Sequence, residues 1–138
     1  MKKKNIIAAI IIIFLLALGF AGWYIFNKPH RSLDNAETVR INADSLLSAY
    51  IRDEKSANTL FLDKALKVNG EIAELSTNQA GQMVILLKTM DPMSGVVCTL
   101  RDKPKETLNV GQQVVIKGFC SGYITDVVLR DCQLETEK

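Results

Sequence analysis

Three patterns of hydrophobic and polar residues follow one another along this chain. Residues 6–26 carry no charged side chain. A helix of that length covers roughly 30 Å, the thickness of the hydrocarbon core of a bilayer. Apolar residues then recur at helical spacing between residues 43 and 61, and from Ala65 onward they alternate with polar residues. The patterns predict a transmembrane helix, a covering helix and a β-sheet, in that order.

The apolar run has the flanks of a membrane anchor. It follows the basic end, residues 1–5, and Trp23 and Tyr24 lie near its far end, where amphipathic rings favour the headgroup region. The three lysines before it outnumber Lys28 and Arg31 after it, which favours an N-terminus in the cytoplasm and a C-terminal domain outside. We therefore predict a single-pass protein of the cytoplasmic (inner) membrane with a periplasmic domain.

A cleaved signal peptide is the alternative, and it would give a secreted protein. Ala17, Gly19 and Ala21 supply small residues for cleavage. The apolar run continues past them to Phe26, which is longer than a signal peptide needs. A lipid anchor is disfavoured, because Phe20 stands where a lipoprotein signal would need cysteine.

Residues 42–64 predict a helix that covers the sheet. Asn42 is a suitable N-cap residue. The pattern is interrupted by four polar residues at 52–55, so it fits either one bent helix or two short helices with Asp53 capping the second. In both cases the apolar positions form one stripe: Ala43, Leu46, Leu47, Tyr50, Ile51, Ala57, Leu60 and Phe61.

Five strands are predicted between Ala65 and Leu134. The last two, over Gln113–Leu134, are joined by a short turn that we place near Tyr123. Gly70 and Gly118 lie inside the first and fourth strands, as expected at the sharp bends of a small barrel. Five such strands favour the OB-fold, a five-stranded Greek-key barrel. Its usual helix between strands three and four has no room in residues 102–110, so the covering helix must precede the first strand.

The fold class predicted is therefore mainly β, a five-stranded OB-fold barrel preceded by a covering α-helix, with an N-terminal transmembrane helix. The predicted organisation has six parts: the cytoplasmic basic end 1–5, the transmembrane anchor 6–26, a linker 27–41, the covering helix 42–64, the barrel 65–134 and a tail 135–138.

The chain also resembles a known family, the tRNA_anti-like OB-fold proteins, which are small bacterial envelope proteins with a leader or membrane anchor. The more specific half of the resemblance is Gly118-x-Cys120-x-Gly122 followed by Asp126-Val127-Val128-Leu129 and Cys132. The helix half, from Leu46 through Tyr50 and Phe61 to Gly70, is less specific. The resemblance implies kinship with anticodon-binding barrels, but it implies no particular ligand and no catalytic residues.

Charge and aromatic content weigh against nucleic acid as the ligand. Three of the 17 Lys and Arg residues precede the apolar run, whereas all 15 Asp and Glu residues follow it, so the outer domain is close to neutral. Barrels of this class stack bases on aromatic rings of strands two and three. Residues 66–101 contain no aromatic residue. Single-stranded nucleic acid therefore remains an alternative, and we favour a non-catalytic, membrane-tethered module that binds another envelope protein or a small ligand.

The candidate binding surface has a basic and an aromatic component. The basic residues each lie in or next to a predicted strand, and the aromatic residues flank the last turn. A solvated barrel exterior explains the cations equally well, and closure of the barrel end explains the rings. The candidates are Lys67, Lys88, Arg101, Lys117, Phe119 and Tyr123.

The three cysteines predict one disulfide if the domain is exported. With the turn near Tyr123, Cys120 and Cys132 lie too far apart to pair with each other. Strand three lies beside strand five in an OB-fold barrel, so Cys98–Cys132 is the first choice and Cys98–Cys120 the second. Three reduced core cysteines are the remaining alternative.

No enzyme, metal site or cofactor is expected. His30 is the single histidine and lies in the predicted linker, so no His is placed beside a Ser or Cys nucleophile. The cysteines lack C-x-x-C spacing and a fourth zinc ligand.

Overall fold

A computed structural model describes residues 3–27, 33 and 36–135. The chain divides into two compact units, with the boundary between Ser32 and Leu33. The ends of the chain and the linker residues Lys28, His30 and Arg31 lie outside the described residues, as do the parts of the predictions that concern them.

The N-terminal unit contains helix α1, Lys3–Phe26. None of its residues is buried, and its mean hydropathy reaches 2.8. The helix is long and apolar enough to cross a membrane by length and composition. It begins three residues before the predicted span and ends at the predicted residue.

Helices α2 (Ala43–Arg52) and α3 (Glu54–Phe61) form the covering layer of the second unit. Asn42 caps α2, because its Oδ1 accepts a hydrogen bond from the Ser45 amide at 2.7 Å. Asp53 has an extended backbone and caps α3 by accepting from the Ser56 amide at 3.2 Å. The reading of two short helices is therefore the right one, since the Asp53 cap starts a new helix where α2 ends.

The described residues contain six strands, β1 to β6 in chain order, and the apolar patterns of the sequence predict the last five. Their bounds are Thr38–Asn42, Ala65–Thr77, Met83–Leu87, Val96–Leu100, Gln113–Tyr123 and Val127–Glu135.

Strands β2 to β6 close into a barrel in the order β2-β3-β4-β6-β5, and β5 pairs back with β2. All neighbours are antiparallel except β4 and β6, which are parallel. This connectivity is the five-stranded OB-fold predicted above. Strand directions place the turns at 88–95 and 124–126 at one end of the barrel, and the connections at 78–82 and 101–112 at the other.

The turn between β5 and β6 lies further along the chain than predicted. Tyr123 pairs with Val127, so residues 124–126 form the turn, and Cys120 faces Leu129. The placement near Tyr123 was wrong because β5 stays paired through its last residue. A bulge in β6, where Asp131 has a φ of 52°, returns Cys132 to the inner face after Leu129.

The barrel interior and the inner faces of α2 and α3 share one hydrophobic core. Leu46 and Tyr50 of α2 are almost fully buried in it. Gly70 lets the start of α2 approach β2 closely, because a Cβ at this position would lie 3.2 Å from the Ala43 Cβ. The predicted stripe is thus the contact face, while Ile51 and Leu60 remain 55% exposed at its edge.

Strand β1 falls mostly within the predicted linker and extends the sheet. It pairs in parallel with the first part of β2, from Thr38 opposite Ala65 to Asn42 opposite Asn69. Before it, Leu33 is fully buried against Ala65 and Phe119 on the outer face of the barrel. The periodicity of this stretch is too short and too polar to predict a strand. It becomes one because it pairs with the free edge of β2.

Candidate interaction surface of the barrel

Five neighbouring outward side chains of β3, β4 and β6 form an aliphatic surface. The next outward residue of β6, Arg130, is charged and pairs with Asp63 at 3.1 Å. Leu86 of β3 lies beside Val97 of β4, and Val97 lies beside Val128 of β6. Val84 and Thr99 form the next pair. All five side chains are half-buried. None is charged or aromatic, so this surface, which we call the aliphatic face, offers van der Waals contact and little else.

Two turns border the aliphatic face, and hydrogen bonds hold them together. The Gly95 amide donates to Asp126 Oδ1 at 2.7 Å, and the Val127 amide donates to the Gly95 carbonyl at 3.0 Å. The exposed side chains of Met93 and Ile124 project from these turns, at 83% and 88% of full exposure. Asp126 therefore joins the two turns that carry these exposed apolar side chains.

The four predicted basic residues do not form one surface. Lys67 and Lys117 are directly opposite each other on β2 and β5. Lys88 follows the end of β3 and Arg101 follows the end of β4, which places them at opposite ends of the barrel because these strands are antiparallel.

Three of these four cations have a carboxylate partner. Lys67 forms an ion pair with Glu135, Lys88 Nζ lies 3.9 Å from Glu71 Oε1, and Arg101 Nε lies 3.5 Å from Asp102 Oδ2. Sequence spacing identified the cations but not these partners, which come from other strands or from the following residue. Local pairing lowers the attraction that each cation exerts on a distant anion.

The two predicted aromatic residues are packed against protein. Phe119 is 6% exposed beneath Leu33. The Tyr123 ring stacks on Tyr50 with centroids 5.8 Å apart and planes at 26°. Phe119 points outward with Lys117, as the alternation indicates, but sequence reasoning missed that Leu33 would cover it.

The cysteines are buried free thiols in the described structure, so the predicted disulfide is not formed there. Cys98 and Cys132 are neighbours across β4 and β6, and a hydrogen bond between their side chains together with burial raises the pKa of Cys98. Cys120 lies 3.3 Å from the Tyr50 hydroxyl. Burial, and then this hydrogen bond, raise the pKa of Tyr50 well above its ordinary value. Cys98 and Tyr50 therefore remain protonated at neutral pH, and all three thiols are core residues.

A cleft of about 720 Å³ lies at the end of the barrel where other OB-folds carry their helix. Its walls come from the 101–112 connection and from the adjoining parts of β2, β5 and β6. Leu108 from the connection belongs to the hydrophobic core. The rim mixes both charge signs, with Lys103 and Lys105 beside Asp102 and Glu106. Sequence reasoning identified the missing helix but not the cleft that it leaves.

Metal ligands are not assembled in the part of the chain that the structure describes. No group of three His, Cys, Asp or Glu side chains there could hold an ion.

Comparison with known proteins identifies the family. The profile of the tRNA_anti-like family matches residues 1–133. The chain belongs to the tRNA_anti-like family. This confirms the resemblance that rests on the glycine- and cysteine-containing hairpin, and the match also includes the apolar N-terminal helix. No curated protein matches the chain.

One solved structure similar to this tRNA_anti-like chain is a lipoprotein from Klebsiella pneumoniae subsp. pneumoniae MGH 78578, to which nucleic-acid binding is ascribed. It superposes with a TM-score of 0.54 at 14% sequence identity. The alignment covers 79% of this chain and 100% of the other. At this identity the likeness concerns the fold.

Proposed function

We propose that this chain is a non-catalytic OB-fold binding module, tethered to the inner membrane by α1 and exposed outside the cytoplasm, where it binds another envelope protein. The aliphatic face carries this proposal. OB-folds bind their ligands on this side of the barrel, across their second and third strands, which are β3 and β4 here.

The composition of that face favours a protein partner. An apolar surface bordered by exposed Met93 and Ile124 gains free energy from burial against another apolar surface. Its five side chains supply neither rings for base stacking nor cations for phosphates, and the adjoining Arg130 is paired with Asp63. The non-catalytic role is supported by the raised pKa of Cys98, which disfavours a reactive thiolate.

Site-specific photocrosslinking in intact cells tests the partner. A photoreactive residue at Thr99, on the aliphatic face, should give a discrete adduct of the full chain with one membrane or periplasmic protein. The same residue at Lys55, on the exposed side of α3, is the matched control. Val97→Asp should abolish the Thr99 adduct, because a charge in the middle of the face must be desolvated on binding. No Thr99 adduct, or equal adducts from both positions, would contradict the proposal.

Single-stranded nucleic acid is the second candidate ligand. The specific observation in its favour is the direct opposition of Lys67 and Lys117, and the Klebsiella lipoprotein motivates the test. We expect weak or undetectable binding of a 20-residue oligonucleotide in fluorescence anisotropy. Tight binding with a steep dependence on salt would indicate several phosphate contacts and would favour this second candidate.

A further inference from the structure

The outer face of β1, β2 and β5 concentrates positive charge. Arg40 lies beside Lys67 in the parallel register of β1 and β2, and Lys67 lies opposite Lys117 on β5. Adjacent strands are about 4.8 Å apart, so three cations form one row across three strands. We call these three residues the cationic row.

The surroundings of the cationic row contain little compensating charge. Nine outward positions around the row hold three cations and no acidic residue: Thr38, Arg40, Asn42, Ala65, Lys67, Asn69, Val115, Lys117 and Phe119. The next outward position of β2 is Glu71, whose Oε1 lies 3.9 Å from Lys88 Nζ. One carboxylate, Glu135 of β6, pairs with Lys67. The outer domain as a whole is close to neutral, so this face carries more positive charge than the rest of the domain.

Such a row is costly to the isolated fold. Like charges directly opposite each other across strands are destabilising. Lys67 is also partly desolvated, with 18% of its side chain exposed. Glu135 offsets the charge of Lys67, but the outward neighbours of the row on its own three strands, Asn42, Asn69 and Val115, carry no carboxylate. A planar anionic surface outside the barrel would offset the repulsion instead.

We propose that the cationic row binds the headgroups of anionic phospholipids, so that the barrel lies against the surface of the membrane that anchors it. The row begins on β1, the first strand after α1, and ten residues of sequence, 28–37, separate Asn27 from Thr38. A short tether gives this face a high effective concentration at the bilayer surface. Each Lys or Arg near an anionic membrane then strengthens binding by about fivefold, and salt weakens it.

Anionic lipid is favoured over nucleic acid by the flatness of this arrangement. The row lies on the outside of three paired strands, whereas a single strand of nucleic acid needs a groove with rings for its bases. Phe119, the aromatic residue among the nine positions, is covered by Leu33. This inference rests on the proposed tether, but it assigns a second surface, on a different side of the barrel from the aliphatic face.

Lysine acylation in nanodiscs tests the proposal on the full chain. The protein is reconstituted into discs of phosphatidylcholine alone or with about one third phosphatidylglycerol, and brief acylation is quantified by mass spectrometry. Lys117 should react several-fold more slowly in the anionic discs, and high salt should restore its reactivity. Lys55 and Lys88, which lie outside the row, should react equally in both kinds of disc.

A pair of matched variants controls for net charge. Arg40→Gln with Lys67→Gln should remove the protection of Lys117, whereas Lys55→Gln with Lys88→Gln, which removes the same charge elsewhere, should preserve it. Equal Lys117 reactivity in both kinds of disc would overturn the inference. The proposed tether would still be supported in that case if the chain remains associated with the discs. Protection of Lys117 in neutral discs by a 20-residue oligonucleotide, without protection by anionic lipid, would reassign the row to nucleic-acid phosphates.

Discussion

Gly118 shows how the bulge in β6 depends on a single residue of β5. The bulge returns Cys132 to the inner face, and its sulfur then fills the space where a Gly118 side chain would lie. A Cβ at Gly118 would be 2.5 Å from Cys132 Sγ and 3.2 Å from the Arg130 carbonyl oxygen. Sequence analysis assigned this glycine to a barrel bend, and the structure adds the neighbour that makes it necessary.

Gly118→Ala should therefore destabilise the barrel by about 1–3 kcal/mol, the usual cost of overpacking a core. The cost should be smaller when Cys132→Ala is also present, because that change removes the sulfur nearest to the added methyl group. Chemical denaturation of the wild type, both single variants and the double variant measures the coupling. An equal cost of Gly118→Ala in both backgrounds would show that Cys132 is not the obstacle.

The thiols offer a second measurement at this scale. Cys98, Cys120 and Cys132 are fully buried, and the raised pKa of Cys98 leaves little thiolate at neutral pH. In reduced, folded protein we expect negligible reaction with a disulfide reagent such as Ellman's reagent, and reaction of three thiols on unfolding. Fast reaction of the folded protein would contradict the burial. Mass mapping of protein taken from cells without reductant tests the Cys98–Cys132 disulfide separately, which stays a prediction.

At the scale of elements, the covering layer depends on the break between α2 and α3. Asp53 ends one helix and caps the next. Hydrogen bonds from the Ser56 hydroxyl and the Ser56 amide favour the ionised carboxylate and lower the pKa of Asp53. The cap therefore stabilises the fold fully above the ordinary carboxyl pKa of about 3.9, and the contribution is lost as pH falls through the lowered pKa of the folded state.

Asp53→Asn is the matched variant for this prediction, because asparagine caps a helix about as well and does not titrate in this range. Thermal unfolding between pH 7 and pH 3 should show the wild type losing stability relative to Asp53→Asn at the acid end. Parallel pH profiles for the two proteins would mean that Asp53 is not ionised at the cap.

Periodicity predicted the elements that are long enough to show it. Strands β2 to β6 and both helices are amphipathic or apolar over five residues or more, so their patterns indicate which face is buried. Strand β1 was not predicted, because Thr38–Asn42 becomes a strand through its pairing with β2 and no local sequence pattern indicates that pairing. The β5–β6 turn lies later than predicted because Tyr123 is still paired with Val127 as the last residue of β5.

At the scale of the whole molecule, sequence sufficed for the fold and only partly for the surface. The barrel follows from five strands with bends, and the covering helices follow from the apolar stripe between residues 43 and 61. Which side chains are available to a ligand depends on contacts between distant segments, such as Leu33 over Phe119 and Glu135 on Lys67. Lys67, Lys88 and Arg101 of the predicted surface are therefore paired with carboxylates, and Phe119 and Tyr123 are packed against protein. Lys117 lies opposite Lys67 on the outer face.

The direction of the chain across the membrane tests the central claim most directly. A tethered module that binds an envelope partner needs its barrel outside the cytoplasm. Alkaline phosphatase, which is active only after export, and green fluorescent protein, which becomes fluorescent in the cytoplasm, can each be fused after Lys138 of the full chain. We expect phosphatase activity in the membrane fraction and no fluorescence. Fluorescence without phosphatase activity would place the barrel in the cytoplasm and contradict the proposed function.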